Sequence, residues 1–118
     1  MEINKHKGEV KLKLAGKDYK ARLTVNSIMM IEDAVDMGII KLATKMAEGE
    51  VRLSHVIAVL TPALRGGGND LQTPDVVKLV EKTGLVLSIK AVADLLAISL
   101  SDNSEEKDSK EGKQEQGD

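Results

Sequence analysis

The chain contains no cysteine, no phenylalanine and no tryptophan, and its only aromatic residue is Tyr19. Without cysteine there is no disulfide framework, no thiolate nucleophile and no cysteine-based zinc site. Without aromatics there are few platforms on which a base, a sugar ring or a flat cofactor could stack, and the core must be built from Leu, Ile, Val, Ala and Met. Histidine is scarce too: His6 lies near the terminus and His55 at a predicted helix start, and neither has a second histidine spaced to share a metal. An enzyme needs a convergent polar pocket, and the shortage of histidine, cysteine and aromatics argues against one. The expectation is therefore a non-enzymatic chain with no cofactor and no metal. No run of apolar residues reaches the roughly 20 needed to span a bilayer, because Lys90 and Asp94 interrupt the longest, Gly84 to Leu100. The first residues carry charges but no apolar segment of the secretory kind, so a cytoplasmic location is expected.

The charge that is present is unevenly placed. Residues 101–118 hold seven acids and three lysines, while residues 1–100 are close to balanced. That balance, and the lack of a helix bearing a basic face, argues against nucleic-acid binding. Beyond Ser101 no large apolar residue remains to offset the entropy of ordering, so a disordered acidic tail is expected over 101–118. The division predicted is a flexible N-terminus over residues 1–7, a single domain over 8–100, and the tail.

Within the domain the pattern starts with period two. Val10, Leu12 and Leu14 alternate with Glu9, Lys11 and Lys13, and Tyr19, Ala21, Leu23 and Val25 alternate with Lys20, Arg22 and Thr24. This is a β-hairpin turning at Ala15–Gly16–Lys17–Asp18, with Gly16 the residue expected at positive φ. The period then becomes helical. Asn26 or Ser27 can cap a first helix over about 27–37 with Gly38 as its C-cap, and Ile39, Leu42, Ala43 and Met46 make a second, ending at Gly49. Ser54 can cap a third running from His55 toward Arg65, where Pro62 should kink the helix or restart it with Thr61 as cap. Thr73, Pro74 and Asp75 start a fourth, closed by Gly84. The fifth runs from about Val86 to Leu100, with an apolar stripe wide enough for either a central helix or a remainder kept for a partner. The fold class is thus α+β, mostly α, with an N-terminal two-stranded β-hairpin packed on about five short helices.

Few residues invite a chemical reading. Glu32, Asp33 and Asp36 bring three carboxylates within a turn and a half of helix, which could hold a hard cation or could be a solvated face. Leu64-Arg65-Gly66-Gly67-Gly68 lacks the lysine and hydroxyl residue of a phosphate-binding loop and follows a helix rather than a strand, so it is read as a C-cap and loop whose shape could adapt to a partner. Met29, Met30, Met37 and Met46 offer flexible thioethers that suit either core or a partner surface. Lys11, Lys13, Lys20 and Arg22 crowd the wet face of the hairpin. The candidate partner-binding residues are therefore Met29, Met30, Met37, Met46, Leu64, Arg65, Gly66, Gly67 and Gly68.

The order of these segments carries a resemblance. The hairpin from Gly8-Glu9-Val10 to Arg22-Leu23-Thr24, the helix with Ile31-Glu32-Asp33-Ala34, and Val56-Ile57-Ala58-Val59-Leu60 running into Ala63-Leu64-Arg65-Gly66-Gly67-Gly68 resemble the gene transfer agent family protein. That family is a phage-derived group placed with tail assembly chaperones and also labelled tail tube protein. Its alanine-rich last helix is matched by Ala91-Val92-Ala93-Asp94-Leu95-Leu96-Ala97, and the likeness spans about residues 7–100. The resemblance implies a protein of a prophage or gene transfer agent that binds the helical tape measure protein, and possibly the tail tube protein, during tail assembly. It implies no catalytic or ligand residue. A structural component of the tail tube or its connector, and a small regulatory or nucleic-acid-associated adaptor, are the alternatives; a homo-oligomer is compatible with any of them.

Overall fold

The structure is a computed structural model that describes residues 8–111, with side chains described for residues 8–101. The expectation of a flexible stretch over 1–7 lies outside the described residues, as does that of a disordered tail for its residues 112–118. Two strands, β1 (Glu9–Leu14) and β2 (Lys17–Arg22), precede five helices: α1 (Val25–Val35), α2 (Ile39–Ala47), α3 (Leu53–Gly66), α4 (Thr73–Thr83) and α5 (Leu85–Glu111). The fold is α+β and mostly α, with one antiparallel hairpin at its start.

The hairpin register pairs Val10 with Ala21, Leu12 with Tyr19 and Leu14 with Lys17. Val10, Leu12, Leu14 and Ala21 are buried, so the alternation puts one face in the core and leaves Lys11, Lys13 and Lys20 in water. The turn is tighter than the sequence suggests. Only Ala15 and Gly16 form it, and both have positive φ, 53° and 79°, the signature of a type I′ turn. Alanine is strained there, because its Cβ crowds the following carbonyl. Ala15→Asn is expected to stabilise the domain by about 1 kcal/mol and raise its melting temperature by a few degrees. A scanning-calorimetry midpoint that stays put or falls would contradict this. The turn is also tied down from outside, where the Ala15 amide donates to Thr83 Oγ1 at 2.8 Å.

Several helix ends differ from expectation. The cap of α1 is Thr24, whose hydroxyl accepts from the Ser27 amide at 2.9 Å. Ser27 is buried instead, its hydroxyl donating to the Pro62 carbonyl at 3.3 Å. Val25, expected on the strand's inner face, starts α1 and is exposed. The residue that closes α1 is Asp36, in the left-handed region at φ 57°, while Gly38 caps the start of α2. Short polar Asp tolerates that conformation, and this frees Gly38 for the next element. Arg52 rather than Ser54 precedes α3, and Gln72 rather than Thr73 caps α4, the Gln72 amide donating to Asp75 Oδ2 at 2.8 Å. Pro74 thereby falls in the first turn, where its missing N–H costs nothing.

Pro62 does not restart α3. One helix runs from Leu53 to Gly66 through it, held by Val59, Leu60, Ala63 and Leu64, which are buried on both sides of the proline. α3 is the centre of the molecule, packing against α1, β2, α4 and α5. The backbone of α5 is helical to Glu111, beyond Leu100, where its apolar stripe ends. Its Val92, Leu95 and Leu96 join Val76 and Val80 of α4, Ile31 and Val35 of α1, and Ile39, Leu42 and Met46 of α2 in one aliphatic core.

Candidate partner-binding surface

The nine candidate residues do not form one surface. Met46 and Leu64 are buried in the core and cannot meet a partner; the helical spacing that made them candidates is the spacing of the inner faces of α2 and α3. Met37, in the α1–α2 connection, is half-buried and packs against the same core. Met29 and Met30, on α1, are exposed. Met30, Arg65 and Gly66 come together with Thr24, Asn26, Ser27 and Pro62 around a shallow cavity of about 290 Å³ between α1 and α3. Along α1, Asn26 Nδ2 lies 3.8 Å from the Met30 sulfur one turn on.

The glycine run has a structural task. A Cβ on Gly66 would lie 2.6 Å from the Arg22 carbonyl oxygen, and one on Gly67 would collide with the Lys20 carbonyl. The two glycines therefore let the end of α3 lie directly on the backbone of β2. Gly68 takes φ 101°, and the Gly68 and Asn69 amides donate to the carbonyls of Arg65 and Leu64, each at 3.0 Å, which is the Schellman closure of a helix. Asn69 completes the join: its Nδ2 donates to Lys20 O at 2.7 Å and to Leu64 O at 2.9 Å. The loop after α3 is thus fastened to the hairpin where the sequence suggested a stretch free to reshape. Asn69 was legible only as a loop residue, although asparagine beside a glycine C-cap is a recurrent terminator.

The carboxylate group of α1 is dispersed among structural roles. Glu32 Oε2 accepts from the Ile39 amide at 2.8 Å and so caps α2, while Asp36 forms the left-handed closure of α1 and Asp33 points into water. Among the described residues no three His, Asp or Glu side chains form a group that could hold a metal ion.

The fifth helix carries part of the apolar surface that the core leaves uncovered. Leu85, Val86 and Leu87 are three consecutive aliphatic residues at its start, with 53%, 78% and 59% of their surfaces exposed, and Ile98 is exposed further along. Helices α4 and α5 meet at 116° around Gly84, so this first turn stands at a corner. No single helix among the described residues is long and apolar enough to cross a membrane. Leu87, Ala91 and Ile98 of α5 face Val10 and Leu12 of β1 across a second trough of about 290 Å³, rimmed by Lys11, Lys13, Lys90 and Asp94.

Compared with known proteins, the chain matches one family over residues 7–102, a family described as phage tail tube protein, GTA-gp10. No curated protein matches, and no solved structure does.

Proposed function

The chain belongs to the phage tail tube protein GTA-gp10 family, whose match covers residues 7–102, and from that premise we propose that it is a tail assembly chaperone holding the tape measure protein in the host cytoplasm. It catalyses nothing and needs no cofactor. The observation that carries this reading is the apolar surface left outside the core on helices: Met29 and Met30 on α1, and Leu85, Val86 and Leu87 on α5. Monomeric domains of this size seldom leave consecutive large aliphatic residues in water without a partner. A long amphipathic helix, as a tape measure protein is expected to be, docks on such a surface through spaced apolar anchors while its polar face stays wet.

Co-expression tests it. The tape measure protein is expected to be largely insoluble alone and to become soluble, and to co-purify, when this chain is made with it. A tape measure protein equally soluble without the chain, or one that never co-purifies, would overturn the proposal. Met30→Glu is expected to reduce co-purification while changing stability by no more than about 0.5 kcal/mol, because its side chain is already half in water. Met37→Glu should instead destabilise the fold by roughly 1–3 kcal/mol, since it drives a charge into the core's edge. Thermal melts of the two variants separate these outcomes.

A second reading, a structural component of the tail tube, is supported by the family's description. Tube walls are β-rich, and the described residues supply one two-stranded sheet. The two readings part in the purified particle, where a tube component is present and a chaperone is absent.

A further inference from the structure

We propose that the outer edge of β1 is a second docking site, which takes an extended peptide segment as a third strand, with apolar residues alternating with acidic ones. The site shares Leu87 with the exposed start of α5 but lies away from Met30, and it does not depend on the identity of the tape measure protein.

The edge follows from the register. In a hairpin closed by a two-residue turn, the pair flanking the turn, Leu14 and Lys17, exchanges hydrogen bonds, and the pairs alternate from there. Glu9–Arg22, Lys11–Lys20 and Lys13–Asp18 are therefore the pairs whose backbone groups point away from the partner strand. On β2 this edge is covered by the end of α3, where Asn69 donates to Lys20 O and a Cβ on Gly66 would lie 2.6 Å from Arg22 O. On β1 the N–H and C=O of Lys11 and Lys13 make no backbone hydrogen bond to the rest of the described chain. Both residues line the trough between β1 and α5. An open strand edge beside an apolar trough is the arrangement in which a peptide adds as a strand, its backbone bonding the edge and alternate side chains filling the trough.

The side chains define the occupant. Residues facing inward from an added strand would meet Leu87, Ala91 and Ile98, and the trough has room for a few aliphatic side chains but not for another helix. Residues facing outward would lie beside the wet face of β1. On that face Glu9 stands opposite Arg22 and Lys13 opposite Asp18, each a pair of opposite charges, but Lys11 stands opposite Lys20. The mid-strand charge is thus the one left unbalanced, and like charges directly across a sheet repel. Lys90 on the far rim adds to the positive field, though Asp94 lies 3.3 Å from it. A carboxylate beside Lys11 would neutralise the pair, so the complementary strand has aliphatic residues inward and an acid at its centre.

The test uses seven-residue peptides of alternating valine and glutamate, of alternating valine and lysine, and the valine–glutamate peptide with its edge-facing amides N-methylated. Each is titrated into the full chain while backbone amide NMR signals are followed. Saturable shifts at Lys11 and Lys13 are expected with the valine–glutamate peptide, with affinity lower by at least about tenfold for the N-methylated and valine–lysine forms. Lys11→Glu, which places an acid opposite Lys20 and leaves the fold's melting temperature unchanged or higher, is expected to reverse the preference toward the valine–lysine peptide. No shift at β1, equal binding of the N-methylated peptide, or a preference unaffected by Lys11→Glu would overturn the proposal. So would a dimer of the free chain, seen by sedimentation velocity and mapping to β1, since a second copy would then hold the edge.

Discussion

Gly67→Ala is expected to destabilise the domain by roughly 3 kcal/mol, lowering its melting temperature by more than about 10 °C. The added methyl would collide with the Lys20 carbonyl, and it would also lie 2.6 Å from the carbonyl carbon and 2.9 Å from Ala21 Cα. All three are backbone atoms of a paired strand and cannot swing aside as a side-chain tip would. The backbone of Gly67 is itself ordinary, with φ −87°, so the whole cost comes from the contact. Gly68 makes the opposite case, its φ of 101° lying in open space with nothing within 4 Å of a Cβ. Gly68→Ala should therefore cost only about 1 kcal/mol, the strain of a left-handed alanine. Chemical denaturation of both variants measures the difference, and equal losses would mean that the close approach of α3 to β2 is not what the glycines serve.

Leu64→Ala is expected to cost roughly 3 kcal/mol, because Leu64 is fully buried at the end of α3 and its removal leaves a cavity among packed neighbours. Arg65→Ala, one residue on, should leave stability within about 0.5 kcal/mol, since Arg65 is exposed. Its cost, if any, belongs to partner binding at the cavity it shares with Met30. Urea midpoints check both values, and an unfolding midpoint unmoved by Leu64→Ala would contradict the placement of this residue in the core.

The elements were legible because their periods are clean. Val10, Leu12 and Leu14 alternate without error, and the stripes of α2 to α5 recur at helical spacing. What misled were ends, since Thr24, Ser27, Asp36 and Gly38 are all competent caps and only tertiary contacts decide among them. Ser27 is drawn inward by the Pro62 carbonyl, far away in sequence, and so the cap falls to Thr24. The candidate surface was legible in part for the same reason. Methionines at helical spacing are recognisable, but which of them face out depends on what covers each helix, and Met46 proves covered while Met29 and Met30 do not. The glycine run looked like a free loop because its neighbour, β2, lies more than forty residues earlier in the chain. Nothing local to Gly66 and Gly67 records that contact. The exposed start of α5 was not singled out by the sequence, whose wide apolar stripe on this helix suited either a central helix or a remainder kept for a partner; Leu85, Val86 and Leu87 are the residues left exposed there.

The most direct measurement is the affinity of the purified chain for the tape measure protein, determined for the wild type, Met30→Glu and Val86→Asp at two salt concentrations. Docking through apolar helix surfaces should lose at least about tenfold in affinity with each substitution, at unchanged melting temperature, and vary by less than about threefold between 0.1 and 0.5 M salt. Affinity that withstands both substitutions and collapses in high salt would contradict it and place the tape measure protein on the lysine-bearing face of the hairpin.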